Sequence, residues 1–547
     1  MPPETNTPHG PGEVPEPRAA PSASERARRA ARHVEWDAAP DAVRPASASA
    51  LAESSAPRYP GTGTRGDPFV VDWDLGDAEN PYNWSTQRKW AITSQLALGT
   101  WTVSFSSSAY SGGMAYLKEE IPMSEEVVVL GISLYVLGFA LGPRLVFLCT
   151  YSTYTLFHLG GALGHNVPTI LTTRLLSGIF GSSPLTNAGG AISDIFNARE
   201  RGVASAIYST APYLGPVIGP IVGGFVSQNP KLGWRFSFWL MFIFSAVTFI
   251  LGVIVTPETY GPVLLRRRAR KLQKQSGGSV HYTTIYDLGR HLPFRDLMRA
   301  NLTRPFRFLF TEPIVALIAL YISVTYATLY AEFSAFPIVF QEHRGFTAGE
   351  GGLAFLGIGV GVVLGTALAP IQNRLYWRAM DKSESGHAPP EARLYLSIVG
   401  AILLPAGLFW FAWTTFPSIH WIVPILGGIP LGTAIALILQ SLTAYMMDTY
   451  TIYCASAIAA TVLLRSVLAA AFPLFSPVMF RALGDQWASS VFAFLALAIM
   501  PVPILFWKYG RRVRARSRFA WHEPTGQFSD GTATSSRATT IREKDRV

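Results

Sequence analysis

The chain has 547 residues, of which 49% are hydrophobic and only 15% are charged. In soluble domains roughly a quarter of the residues are charged, so this deficit of charged residues argues against a soluble enzyme. The formal net charge of +10 would suit nucleic acid. However, the cations flank apolar segments, so the expected partner is the anionic lipid of the cytosolic leaflet and not nucleic acid.

The cationic residues are concentrated in three segments. Residues 1–89, 258–311 and 508–547 together hold 31 of the 45 lysines and arginines. The rest of the chain breaks into apolar runs of about 17 to 25 residues, the length with which a helix crosses hydrocarbon. The pattern predicts an all-α, integral, multi-pass membrane protein.

Taken in chain order, the apolar runs form two groups of six. The first group comprises residues 91–112, 127–143, 145–164, 169–192, 203–226 and 236–255, and the second comprises 314–336, 351–371, 396–415, 422–446, 452–475 and 489–507. We therefore expect six-helix bundles over residues 89–257 and 312–508, joined by a basic cytosolic loop with an interfacial helix over 258–311. Residues 1–88 are expected to form a disordered cytosolic tail and residues 509–547 a basic cytosolic one.

The cations also predict the orientation in the membrane. With an internal N-terminus, the inner loops hold 18 lysines and arginines and the outer loops hold five. The positive-inside rule therefore places both termini in the cytosol. Two groups of six spans joined by a basic loop are typical of secondary transporters, in which two bundles rock about a site near the bilayer midplane.

The fifth apolar run contains a glycine-proline motif made of Gly215, Pro216, Gly219, Pro220, Gly223 and Gly224. Glycines at every fourth position form one flat helix face on which another helix can pack closely. The two prolines remove backbone donors and soften the helix. The motif therefore favours a moving transporter helix, and a simple packing seam of small residues is the alternative.

Several further motifs accompany this run. They are Asn-Pro-Tyr-Asn-Trp at residues 80–84, Phe-Ser-Ser-Ser-Ala-Tyr at 105–110, Phe-Gly-Ser-Ser-Pro-Leu-Thr-Asn-Ala-Gly-Gly at 180–190, Pro-Glu-Thr-Tyr at 257–260, Gln-Glu-His-Arg-Gly at 341–345 and Pro-Glu-Ala-Arg-Leu at 390–394. With them the chain resembles the fungal drug:proton antiporters of the major facilitator superfamily, which are twelve-span exporters of drugs and polyamines. The resemblance implies the major facilitator fold, a proton gradient as energy source, and the glycine-proline run as the antiporter motif.

One stretch departs from the pattern of that family. Residues 127–164 number 38, which is barely enough for two spans, and only Gly142, Pro143 and Arg144 interrupt them. The family has a cytosolic loop here, between its second and third spans, that latches the two bundles, and in this chain the loop is missing. An omitted exon segment or a misplaced splice junction would explain the gap. We expect transport by the literal chain to be impaired.

Ionisable residues inside apolar runs are costly, so each is a functional candidate. Arg174 matches the fourth-span arginine that the resemblance implies in proton coupling, with a structural arginine as the alternative. Glu332 is the one carboxylate deep in an apolar run and is a second proton-coupling candidate, although relatives carry their acid two positions later, where this chain has Ser334. Asp194 and Asp448 lie near predicted cytosolic ends and are candidates for proton coupling or for gate and capping roles.

A further group of polar residues could line a substrate cavity. The group comprises Tyr110, Asn187, Tyr330, Gln440 and Arg465. Hydrogen-bonding and aromatic side chains suit an organic ligand, but the same side chains also join membrane helices to one another. Arg465 requires a buried partner or a water-filled cavity, and Glu332 is one possible partner.

The sequence contains no metal-hydrolase helix motif, no phosphate-cradling loop and no nucleophile elbow. We therefore expect neither an enzyme nor a metal or nucleotide cofactor. The expected function is proton-coupled export of organic cations, amphiphilic drugs or polyamines by a monomer in the plasma membrane, with the vacuolar membrane as the alternative location. A uniporter or importer on the same scaffold and a non-transporting sensor are the alternative functions.

Overall fold

The computed structural model describes residues 59–74, 76–141, 147–288, 294–383, 388–450, 453–517 and 519–520. The chain divides into two compact units, one of Met1–Asp77 with Gly261–His291 and one of Ala78–Tyr260 with Leu292–Val547. The tails predicted before residue 59 and after residue 520 lie outside the described residues. The same holds for the junction at Pro143 and Arg144.

In the part of the chain that the structure describes, the first half of the larger unit is built from seven helices. They are α1 (Thr86–Ser108), α2 (Met114–Glu120), α3 (Glu125–Leu141), α4 (Phe147–Ala162), α5 (Val167–Ile195), α6 (Ala198–Ser227) and α7 (Arg235–Val255). Polar residues fix where two of them begin, because Ser85 accepts a hydrogen bond from the backbone of Arg88 and Asn166 accepts one from that of Thr169. All but the short α2 occupy the first six predicted spans.

The described parts of α3 and α4 lie on either side of residues 142–146, which are outside the described residues.

The smaller unit is held together by a pair of strands. β1 (Phe69–Val71) pairs in parallel with β2 (Tyr282–Thr284), and α8 (Gly261–Gln275) buries Leu265 against Val71. Arg268 on the polar side of α8 forms an ion pair with Asp77. Residues 59–74 are therefore ordered, although they fall in the stretch predicted as a disordered tail. Their strand partner lies far along the chain, where local composition cannot reveal it.

Among the described residues, the second half of the larger unit contains nine helices. They are α9 (Phe294–Thr311), α10 (Pro313–Phe336), α11 (Ala348–Leu353), α12 (Leu356–Ala367), α13 (Ala369–Asp381), α14 (Tyr395–Thr414), α15 (Ile422–Thr449), α16 (Cys454–Ile499) and α17 (Pro501–Arg514). Gly484 interrupts α16 with a φ of 75°, a left-handed conformation that glycine adopts without steric cost. The helix therefore supplies both the eleventh predicted span and the beginning of the twelfth.

Several helices have the length and composition of membrane spans. Within the described ranges, six segments qualify: Arg235–Val255, Pro313–Glu342, Ala348–Asp381, Tyr395–Thr414, Ile422–Thr449 and Ser456–Arg514. Large apolar side chains on α7, such as Ile250 and Ile254, are exposed, as expected of a lipid-facing surface. α10 is different, because twenty of its 24 residues are buried. The predicted all-α membrane fold is confirmed, and the side on which the termini lie stays a prediction.

The two ends of the larger unit can be told apart by their contacts. At the end where α1 begins, the Tyr82 hydroxyl donates to the carbonyl of Ser193, in the last turn of α5, at 3.0 Å. At the opposite end, the Trp234 indole donates to the Glu120 carboxylate at 2.7 Å. We name the end where α1 begins the terminal end and the opposite end the distal end.

Candidate functional site

The glycines of the glycine-proline motif lie against α1. A Cβ atom added to Gly219 would lie 2.0 Å from Oγ of Ser108, and one added to Gly223 would lie 2.1 Å from the carbonyl oxygen of Ala109. Gly215 also faces α1, with a backbone nitrogen 2.7 Å from the added Cβ position. Because no side chain intervenes, α6 and α1 pack with their backbones in close approach.

The next glycine faces the second half of the unit. A Cβ added to Gly224 would lie 2.4 Å from the carbonyl oxygen of Ala348 in α11, and one added to Gly352 would lie 2.7 Å from that of Pro220. Pro216 and Pro220 both lie inside α6 and donate no backbone hydrogen bond. α6 therefore packs between the two halves, with its hydrogen-bond ladder interrupted where it does so.

Arg174 in α5 holds the end of α1. Its side chain is 1% exposed, and its two Nη atoms donate to the carbonyls of Ser106 and Ser107 at 2.7 and 2.9 Å. These carbonyls belong to the last turn of α1, where helix carbonyls lack internal partners and the helix dipole is negative. The guanidinium also lies 4.7 and 4.4 Å from the ring centroids of Tyr110 and Tyr135. No carboxylate pairs with it in the described structure.

Tyr110 therefore belongs to the surroundings of Arg174. Its hydroxyl donates to the carbonyl of Val128 at 3.1 Å, and the residue is 3% exposed. The structure places it inside the first half, next to the Arg174 guanidinium.

Tyr330 in α10 connects the two halves. Its hydroxyl shares a 2.7 Å hydrogen bond with the hydroxyl of Ser107 and lies 3.5 Å from that of Tyr326. The guanidinium of Arg465 in α16 lies 4.6 Å from the ring centroid of Tyr326. A continuous series of contacts thus runs from Arg174 through Ser107 and Tyr330 to Arg465.

Glu332 faces the interior of the second half. It is 1% exposed, and its Oε2 has no hydrogen-bond partner among the described residues. Its position is about 200° around the helix from Tyr330, and it lies one turn before Phe336, whose ring stacks on Phe411 of α14. The possible pairing with Arg465 is not formed, because Nε of Arg465 is likewise without a partner in the described part of the chain.

A polar cavity lies between the two halves near the terminal end, and we name it the terminal cavity. Its polar lining includes Arg201, Gln372, Asn373, Arg393, Gln440 and Asp448. The structure therefore brings together two of the sequence candidates, Gln440 and Asp448, with four residues that the sequence analysis does not select.

One ion pair spans part of this cavity. Nε of Arg393 donates to Oδ2 of Asp448 at 2.8 Å, and the guanidinium lies 3.4 Å from the ring centroid of Tyr376. Burial alone would lower the pKa of Arg393, but Asp448 and Tyr376 together raise that pKa above its ordinary value. Arg393 therefore remains a cation, and Asp448 balances its charge.

Two other donors on the lining of the terminal cavity lack a partner among the described residues. They are Nε of Arg201 and Nδ2 of Asn373, both of which are buried. The amide of Asn373 is oriented by Arg393, whose Nη1 lies 3.5 Å from its Oδ1. A buried donor without a partner costs about 1–3 kcal/mol, so an acceptor that reached these two donors would be stabilising.

The remaining candidates lie elsewhere. Asp194, near the end of α5, is close to Glu258 and Arg201 and bonds to Thr259 at the terminal end. Asn187 is exposed, and its Nδ2 donates to Oγ of Ser183 at 3.1 Å. Neither residue is on the lining of the terminal cavity.

Contacts between the two halves close the distal end. Arg481 in α16 donates two hydrogen bonds to the Glu125 carboxylate at the start of α3, at 2.7 and 2.9 Å. The backbone nitrogen of Gly349 donates to Oε1 of Gln228 at 3.1 Å. The described residues therefore form a state that is bridged at the distal end and holds a polar cavity near the terminal end.

Arg201, Asn373 and Arg393 are the functional candidates that sequence reasoning missed. In the sequence both arginines stand out only as loop cations, and nothing distinguishes Asn373. These residues come from α6, α13 and the segment before α14, which meet only in the folded chain. The Pro-Glu-Ala-Arg-Leu match at residues 390–394 is the one sequence signal that includes any of them.

Comparison with known proteins identifies the family. Residues 96–473 match the Major Facilitator Superfamily. The MFS-type efflux pump MFS2 of Trichophyton rubrum is 46% identical over 474 residues, covering 84% of this chain and 79% of that protein. The major facilitator superfamily multidrug transporter mdrA of Aspergillus fumigatus is 45% identical over 475 residues, covering 84% and 77%.

A solved structure supports the same fold. The proton:xylose symporter XylE matches with a TM-score of 0.55 and 17% identity, over 78% of this chain and 96% of that one, and the protein comes from E. coli. The resemblance drawn from the sequence motifs is confirmed at the level of the superfamily and its fungal efflux pumps. The chain therefore belongs to the major facilitator superfamily, and it is a transporter and not an enzyme.

Proposed function

We propose that this transporter exports small amphiphilic organic compounds in exchange for protons by alternating access, with its terminal end in the cytosol. The terminal cavity carries the proposal, because it lies between the halves at the end from which a cytosolic compound would arrive. The Glu125–Arg481 contact bridges the other end. The names of the fungal relatives, efflux pump and multidrug transporter, support export.

Glu332 is the proposed proton carrier. Burial of an isolated ionised carboxylate is far more costly than burial of its neutral form, and Oε2 of Glu332 has no partner among the described residues. In the proposed cycle a proton from outside neutralises Glu332, substrate leaves outward, and the proton leaves to the cytosol after the halves have rocked. The energy comes from the different affinities of the two states for proton and substrate.

Arg174 has a proposed part in coupling. It holds the last turn of α1, whose Ser107 hydroxyl meets Tyr330 of the second half. A change in the end of α1 would therefore act directly on α10, the helix that carries Glu332. Asp194 and Asp448 are proposed to act at the terminal end as gate groups.

The class of substrate is narrower than the resemblance implies. An organic cation or a polyamine needs unpaired carboxylates, yet the one carboxylate on the described lining of the terminal cavity, Asp448, is paired with Arg393. The proposal therefore keeps amphiphilic compounds as substrates and leaves out polyamines.

The proposed location is the plasma membrane. Arg511 and Arg512 in the last turn of α17 are exposed, and each cation near an anionic leaflet contributes about 1 kcal/mol of attraction. We propose that the monomer is the working unit.

Transport in proteoliposomes tests the proposal. Liposomes with an acidic lumen should accumulate an amphiphilic test compound above its equilibrium level, and a protonophore should abolish the accumulation. A uniporter would only equilibrate the compound, and a sensor would not move it. Either result would reject proton-driven export.

The missing cytosolic loop predicts a gain of transport. Residues 127–164 are barely enough for two spans, and inserting the loop of a fungal relative after Pro143 should restore the cytosolic connection between them. We expect faster accumulation in the same liposome assay. A Gly-Ser insertion of equal length is the control, and an equal gain from it would show that spacing alone, without the latch residues, limits transport.

A further inference from the structure

Positive charge exceeds negative charge on the lining of the terminal cavity. Arg201 and Arg393 line it, and Asp448 is the one carboxylate among its described lining residues. Asp448 is already engaged by Arg393. Asp194 is near enough to Arg201 for an electrostatic interaction, but no hydrogen bond or ion pair joins the two in the described structure. The charge of Arg201 is therefore without a direct partner.

The unsatisfied groups of the cavity have one chemical character. Both of the buried side-chain atoms on the described lining that lack a partner, Nε of Arg201 and Nδ2 of Asn373, are N–H donors. Both atoms are shielded in this state, so a ligand with acceptor oxygens would satisfy them once the two side chains turn toward it. A guanidinium forms its strongest hydrogen bonds with negatively charged oxygens, as in carboxylates. A cationic ligand such as an ammonium would place its own N–H donors next to those of Arg201 and Asn373, and would satisfy neither.

An apolar groove adjoins the terminal cavity. It runs between α6 and α12–α13, and its lining includes Val203, Ile207, Val363 and Pro370. Asn373 lines both the groove and the terminal cavity. A ligand with an acceptor group at Asn373 could therefore place an apolar body in the groove without leaving the site.

We infer that the terminal cavity binds amphiphilic organic anions, with the anionic oxygens at Arg201 and Asn373 and the apolar body in the groove beside them. This inference rests on the proposed export function and narrows its substrate class. It replaces the organic cation that the family resemblance implies.

The sign of the substrate charge has an energetic consequence. Export of a cation in exchange for a proton moves no net charge across the membrane. Export of an anion in exchange for a proton transfers net positive charge inward, because the anion leaves the cytosol while the proton enters it. A membrane potential that is negative inside therefore drives the exchange of an anion in addition to the pH gradient.

Equilibrium binding to the full chain in detergent is the first test. We choose naphthalene sulfonate, naphthyl trimethylammonium and methanesulfonate, because none of the three titrates near neutral pH. The first should bind, the second should bind at least tenfold more weakly because it has the wrong charge, and the third should bind weakly because it lacks an apolar body. Equal binding of the two sulfonates would reject the groove and indicate that another group, such as a lipid chain, occupies it.

Variants locate the site. Arg201→Gln should weaken naphthalene sulfonate binding about tenfold or more, and Arg201→Lys should retain part of the affinity because it keeps the charge. Arg374→Gln is the matched control, since Arg374 is an exposed arginine on α13 next to Asn373 and does not line the cavity. Loss of binding in Arg374→Gln equal to that in Arg201→Gln, or unchanged binding in Arg201→Gln, would overturn the inference.

Transport separates this inference from the proposed function. Liposomes with an acidic lumen should accumulate naphthalene sulfonate, and a lumen-positive potential should increase the rate. If naphthyl trimethylammonium accumulates instead and the potential has no effect, the inference is wrong and proton-driven export stands. If neither probe accumulates while the sulfonate still binds through Arg201, the inference stands and the proposed function fails.

Discussion

Arg174 shows how a membrane protein can bury a cation without a carboxylate. Its guanidinium satisfies the carbonyls of Ser106 and Ser107 and lies over two tyrosine rings. Carbonyls at a helix C-terminus are natural acceptors for a cation. The structural and the functional interpretation of this arginine are therefore not exclusive, because the turn that it holds also contacts Tyr330.

Replacement of Glu332 tests its role as a proton carrier. Glu332→Gln keeps the size of the side chain but cannot exchange a proton. We expect accumulation driven by a pH gradient to be lost, while exchange of labelled for unlabelled substrate at equal pH is retained. The control is Glu119→Gln, at an exposed glutamate of α2. Accumulation that still follows the pH gradient in Glu332→Gln would exclude Glu332 from the mechanism.

Glu120 predicts a pH dependence of stability at the distal end. Its hydrogen bond from Arg235 lowers the pKa of this carboxyl below the ordinary 4.5, and the Trp234 indole contributes in the same direction against the effect of burial. A carboxyl with a lowered pKa in the folded state stabilises the fold above its unfolded pKa, and this contribution is lost as the pH falls through the lower folded value.

Thermal unfolding in detergent at several pH values measures this contribution. Glu120→Gln should melt at a lower temperature than the wild type at neutral pH, and the difference should shrink below pH 4.5. The difference should be small, because the carboxylate is half exposed. A difference that is the same at every pH would contradict the prediction.

At the scale of elements, the close packing of α6 on α1 predicts which glycines tolerate a methyl group. Gly223→Ala would place a Cβ 2.1 Å from the carbonyl oxygen of Ala109, and such overpacking typically costs about 1–3 kcal/mol. We expect a lower melting temperature and reduced transport. Gly190→Ala in α5 is the control, since the space around that glycine is open. Equal effects of the two substitutions would show that helix packing is not the cause.

The elements differ in how well sequence predicts them. Apolar length predicts the spanning helices, because burial in lipid requires an uninterrupted apolar run. The interruption of α16 at Gly484 and the pairing of β1 with β2 were not predicted. A single positive φ leaves no composition signal, and strand pairing depends on residues distant in the chain. The boundaries predicted for the bundles and tails stay predictions.

The functional residues likewise divide into those that the sequence predicts and those that it does not. The glycine spacing predicts a packing face, and the structure places three of those glycines on α1. The terminal cavity could not be predicted in full, because Arg201, Asn373 and Arg393 belong to three separate segments. The sequence also does not show which face of a helix meets which neighbour. Glu332 could therefore be recognised as buried, but not as facing away from the first half.

At the scale of the whole molecule, the contact of Glu125 with Arg481 predicts a shift between states. Glu125→Arg places two cations together, and we expect a larger population open at the distal end, measured by spin-label distances across that end. Arg481→Glu should act alike, and the charge-swapped double variant should restore the wild-type distances. An exposed ion pair contributes about 0.2–1 kcal/mol, so the populations should change only a few-fold. Distances that stay altered in the double variant would contradict the prediction.

The hydroxyl pair of Ser107 and Tyr330 has a consequence for the timing of the cycle. When the two halves separate at that point, the hydrogen bond between the two hydroxyls breaks inside an otherwise apolar interior. Ser107 keeps its hydrogen bond to the carbonyl of Ser104, whereas the Tyr330 hydroxyl keeps only its 3.5 Å contact with Tyr326. We therefore expect a water molecule, or a substrate that carries oxygen atoms, to lower the barrier to separation by binding the Tyr330 hydroxyl.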